Sequence, residues 1–169
     1  MTKFLLSLHV LAAIIAVGPV TVAASMFPPS ARKALAEPDS ERAVSAVRLL
    51  HRICRVYGGV GIAVPVLGFA TALSMGVLKD AWLIVSMLLT ALAAMVLLAL
   101  VLPRQEEILE GLGGTAVGTG IGAAAGTGTG TVTGPAATAR LAMFTGVFNL
   151  LWATVTILMI VRPGSTTGA

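Results

Sequence analysis

The chain has 169 residues, 57% of them hydrophobic and 11% charged, with a formal net charge of +4. Soluble domains carry about 25% charged residues, so a chain this apolar, with a mean hydropathy of +0.98, cannot cover its own surface in water and has the composition of one lipid-embedded domain. The basic excess comes without the aromatic-interleaved patch of a nucleic-acid binder, and a single cysteine, Cys54, excludes an internal disulfide and a multi-cysteine metal site.

Four stretches without Lys, Arg, Asp or Glu reach the roughly 20 apolar residues that a spanning helix needs: Phe4 to Phe27, Val56 to Leu78, Ala81 to Leu102 and Leu141 to Val161. They cover more than half of the chain. A segment alone in lipid must satisfy its backbone internally, so each is expected to be helical. Strand-like alternation is absent, which argues against a β-barrel. The expected fold is an all-α, four-helix transmembrane bundle, antiparallel and up-down.

Taken in order, the first span follows Lys3 and is expected to stop at Pro28-Pro29. Its apolar run exceeds the 7–15 residues of a signal peptide, so it reads as a retained helix. After it, Pro38-Asp39-Ser40-Glu41 marks a new helix, with Asp39 or Ser40 as N-cap, running straight into the second span. On that helix Arg48, Arg52 and Arg55 share one face near the membrane surface. They anchor topology by snorkelling or dock anionic lipid headgroups. Cys54, beside them, reads as a small apolar residue.

Within the second span, Gly58, Gly61, Pro65, Gly68 and Ala72 form a small-residue packing face. Pro65 is expected to kink the helix and free a carbonyl. Lys79-Asp80 makes a tight hairpin to the third span, where Trp82 takes an interfacial place. Pro103-Arg104 is expected to close that span. Residues 111–135 then form a Gly/Thr/Ala tract that reads as a low-complexity linker. Its glycines at every fourth position also fit a helix-packing face, but Gly and Thr are poor helix formers. The fourth span carries Trp152 and, at mid-depth, Asn149, read as an interhelical hydrogen bond. It ends at Arg162-Pro163-Gly164.

The loop between spans one and two holds six basic residues and the loop between three and four adds Arg104 and Arg140. The opposite side holds Lys3, Lys79 and Arg162. The positive-inside rule then places loops 28–55 and 103–140 in the cytoplasm and both termini outside, in a plasma (inner) membrane.

An ionisable side chain inside a span is a functional candidate by default. His9 is the only imidazole within a span; neutral imidazole suits haem iron, copper or proton transfer. His51 lies at the other face, so the two histidines cannot share one metal across about 30 Å of hydrocarbon. No acidic residue lies in a span, and no Ser-His-Asp or metal-spaced set is present.

Three stretches carry a resemblance: Leu8-His9-Val10-Leu11-Ala12-Ala13 with Gly18, Leu102-Pro103-Arg104-Gln105, and Trp152 through Met159 to Arg162-Pro163-Gly164. Together they resemble a family of small integral membrane proteins of unknown function from high-GC, actinobacterial-type bacteria. The first helix is more remotely similar to CopD-like copper-resistance proteins and HemJ-type haem-pathway enzymes. That likeness implies haem b or copper at His9. The sequence is read as a non-enzymatic accessory or structural membrane protein, with a His9 haem or copper redox protein as alternative and a small transporter or channel as second alternative. The expected partners are bilayer lipids, anionic ones included, and a further membrane chain or second copy.

Overall fold

The computed structural model of the chain describes residues 1–37, 39–117 and 135–164, side chains at 114–117 and 135 excepted. Among them are only helices: α1 (Thr2–Ala36), α2 (Glu41–Val60), α3 (Ala63–Met75), α4 (Ala81–Met95), a π-helical segment (Val96–Val101), α5 (Leu102–Val117) and α6 (Pro135–Val161). They build four rods long and apolar enough to cross a membrane, Thr2–Ala36, Glu41–Met75, Ala81–Gly113 and Ala136–Val161. This is the pattern of a multi-pass membrane protein.

Two expected stops are overturned. Pro28-Pro29 does not end the first helix, and α1 continues through Pro19, Pro28 and Pro29 to Ala36. The reason is packing: Phe27, Pro28, Ala31 and Ala34 are fully buried, and α1 makes its most extensive contact with α2. That burial outweighs the lost N–H groups. Pro103 likewise does not close the third helix. The backbone widens into the π segment just ahead of it, where the Leu102 N–H donates to the Leu97 carbonyl five residues back. The wider turn accommodates the missing Pro103 N–H, and α5 runs on. Residues 111–117 of the expected linker are therefore helical, while the expectation for 118–134 lies outside the described residues.

The second rod starts as expected, with Ser40 as N-cap and its Oγ accepting from the Ala43 N–H at 3.4 Å. It does not run straight. It breaks at Gly61-Ile62, four residues before the residue that cannot donate, Pro65. The Gly61 carbonyl that Pro65 leaves free accepts instead from the Val64 N–H at 3.1 Å. At the hairpin, Gly76 takes a left-handed conformation (φ 70°). Val77 N–H bonds to the Ala72 carbonyl and Gly76 N–H to the Leu73 carbonyl, a Schellman end. Trp82 then donates from Nε1 to Asp80 Oδ2 at 3.1 Å, and the Arg162 guanidinium lies 5.6 Å from the centre of its ring. This ties the hairpin to the end of α6.

α1 packs along α2 and α3 on one side and along α6 on the other; α6 packs along α4, and α5 returns to α2. The core runs from Val20 and Phe148 past Phe27 and Val101 to Ala34, Val47, Ile108 and Leu112. A 35-residue helix is about 50 Å long at 1.5 Å per residue, against a hydrocarbon core of about 30 Å. The surplus of α1, α2 and α5 gathers at one end, where it forms a small helical core beyond the expected spans.

Candidate functional site

Three places bring polar chemistry or space into the interior. The first is at that extended end. His51 of α2 and Gln105 of α5 are buried, with His51 Nδ1 3.1 Å from Gln105 Oε1, and Gln105 Nε2 donating to Cys54 Sγ at 3.6 Å. Because the amide oxygen only accepts, Nδ1 carries the imidazole proton. The result is a directional chain from His51 through Gln105 to Cys54, whose thiol end packs with Ala23, Ala24 and Leu102. Gln105 is fully buried, which sequence reasoning missed. Hydropathy ends the span at Leu102 and leaves Gln105 in a loop; the continuing helix buries it. Arg48, Arg52 and Arg55 stay exposed outside this chain.

The second place is His9, in the opposite half of the bundle. Its ring is buried between α1 and α3, with Nδ1 3.0 Å from the Val64 carbonyl oxygen. A carbonyl only accepts, so Nδ1–H donates. The ring lies against Gly68, where a Cβ would stand 2.9 Å from His9 Cε1. Gly68 is thus the cavity that admits the imidazole. His51 lies about 20 Å away along the second rod, counting 13 residues from His51 to Val64 at 1.5 Å each. Among the described residues no group of three or more His, Cys, Asp or Glu gathers to hold a metal. One imidazole pressed into a helix seam does not make up a copper donor set or a haem cradle.

The third place is a cavity of about 100 Å³ between the rods, walled by Val20, Tyr57, Pro65, Ala94, Leu98 and Trp152 among others. It lies where α3 and α4 part. Gly58 lets the Leu97 side chain close one wall, its missing Cβ standing 3.4 Å from Leu97 Cδ2. Trp152 sits edge-on to Phe148, ring centres 6.4 Å apart. Thr90, the one hydroxyl of a short side chain there, is spent on the Ser86 carbonyl of its own helix at 2.8 Å.

Asn149 lies outside this cavity and donates from Nδ2 to Ser25 Oγ of α1 at 3.1 Å. Its Oδ1 and the Thr145 Oγ1 one turn away are buried without a hydrogen-bond partner, each at a cost of about 1–3 kcal/mol. No family model, curated protein or solved structure matches the chain.

Proposed function

We propose that the protein is a non-enzymatic accessory component of the plasma membrane, with both termini outside, and that its bundle seats a hydrocarbon chain from the surrounding lipid. The size and lining of the central cavity carry this reading. Pockets for whole small molecules run to about 300–1,000 Å³, and even a benzene-binding cavity engineered into a protein core measures about 150 Å³. At about 100 Å³, walled by aliphatic and aromatic side chains, this one has room for a few methylene groups of a longer chain entering from the bilayer. Most hydroxyls of the spans, those of Thr21, Ser25, Thr71, Ser86 and Thr154 among them, donate to carbonyls within their own helices. Of the cavity walls only Tyr57 and Thr90 carry hydroxyls, and that of Thr90 is spent on the Ser86 carbonyl, so the walls offer contact area and little polarity.

The test is fluorescence quenching of Trp152 in a Trp82→Phe background, reconstituted with lipids brominated at mid-chain. Ala94→Phe fills the cavity from α4. Quenching should be strong in the parent and clearly weaker in the filled variant. Equal quenching in both would show that the lipid reaches Trp152 only from the outer surface of α6.

A further inference from the structure

We infer that α2 and α5 form an interaction surface for a second copy of this chain, with Arg48, Arg52 and Arg55 of one copy meeting Glu106 and Glu110 of the other. All five residues are exposed. None pairs with an opposite charge: the one ion pair among the described residues is Arg104–Glu107, at 2.8 Å on α5. The arginines lie about 100° round α2 from its buried stripe of Val47, His51 and Cys54. Glu106 and Glu110 lie about 150° round α5 from the buried Gln105, Ile108 and Leu112, so they face away from the bundle. Two like charges four residues apart on a helix repel each other, and cations brought by a partner relieve that repulsion.

The hydrogen bond between His51 and Gln105 fixes the level of α2 against α5. By helix rise Arg48 lies about 4.5 Å beyond that bond, on the side away from the apolar stretches, and Arg52 about 1.5 Å before it. Glu106 and Glu110 lie about 1.5 and 7.5 Å beyond it. Arg48 is thus within about 3 Å in level of both glutamates, a gap that the long side chains span. Copies inserted the same way in one bilayer share orientation and depth, so a symmetric contact between them must pair faces at equal level. An anionic headgroup would serve the arginines and leave Glu106 and Glu110 unpartnered; a second copy serves both. The ion pairs set register and partner choice more than affinity, and the exposed Leu49 and Val56 beside the arginines add apolar contact. This inference rests on the membrane-embedded reading above and is independent of what fills the central cavity.

Förster transfer between donor- and acceptor-labelled full-length chains in phosphatidylcholine liposomes tests it, with each chain labelled through Lys79→Cys in a Cys54→Ala background. An exposed ion pair is worth at most about a fivefold change in affinity, so Arg48→Glu with Arg52→Glu should weaken association about ten- to thirtyfold. Glu106→Arg with Glu110→Arg should weaken it by a similar factor. Mixing donor-labelled chains of one reversed variant with acceptor-labelled chains of the other should restore transfer, which also shows that both are folded. Arg48→Gln with Arg52→Gln, a milder change, should weaken association several-fold. A parent that stays monomeric at every protein-to-lipid ratio, substituted chains that associate like the parent, or no recovery in the mixture would overturn the surface. Association that appears only when phosphatidylglycerol is added would overturn the second copy as the direct partner of the arginines. A chain that does not enter the liposomes would overturn the membrane reading, and this surface with it. The quenching experiment on Ala94→Phe reads the cavity independently of the association results.

Discussion

Gln105→Leu is the most informative substitution, because Gln105 is fully buried while lying past the end of its apolar stretch. Leucine is close in volume, so the packing around position 105 should largely survive. What is lost is the acceptor for His51 Nδ1–H, at 3.1 Å. A buried donor left without a partner costs about 1–3 kcal/mol. The 3.6 Å contact to Cys54 Sγ adds little, since a thiol sulfur is a weak acceptor. His51→Leu should cost a similar amount by stranding the amide of Gln105. Removing both partners at once should be close to neutral, because no polar group is then left unpaired. The double-mutant cycle therefore has a coupling energy of about 2–6 kcal/mol in favour of the pair, the sum of the two single losses. Reversible unfolding in mixed detergent–SDS micelles, followed by tryptophan fluorescence, measures all four corners. If Gln105→Leu lies within about 0.5 kcal/mol of the parent, or if the double variant loses the sum of the two singles, the hydrogen-bond chain does not stabilise this end of the bundle.

Two further outcomes follow from the other end of the bundle and from its placement in the membrane. Gly68→Ala puts a methyl group 2.9 Å from His9 Cε1 and should destabilise by about 1–3 kcal/mol through overpacking; adding His9→Ala should recover part of that loss in the same unfolding assay, and no recovery would separate the two residues. In a Cys54→Ala background, a cysteine at Lys79 should react with a membrane-impermeant maleimide in intact cells, and one at Ser45 only after permeabilisation; the opposite pattern would invert the proposed orientation.

The four rods were legible because length and uninterrupted apolarity are properties of the chain alone: lipid leaves no other way to satisfy the backbone. The Ser40 cap was legible for the same kind of reason, since a hydroxyl before Glu41 serves the first free amides of the helix it opens. Helix ends at Pro28, Pro29 and Pro103 were misjudged. A missing N–H is a local cost of a few kcal/mol, and a local rule cannot weigh it against burial of Phe27, Ala31 and Ala34 on α2 or against a π turn that adjusts the ladder.

The candidate sites divide along the same line. The sequence by itself determined that His9 would be a histidine inside a membrane span and that His51 would stand at the other face. Only the tertiary structure decided that His9 spends Nδ1 on the Val64 carbonyl beside Gly68 and that Gln105 joins His51 to Cys54. Hydropathy reports which medium a segment prefers, one residue after another. Which side chains meet depends on how far helices continue past the bilayer and how they are rotated against each other, and that is fixed by packing between residues far apart in the chain.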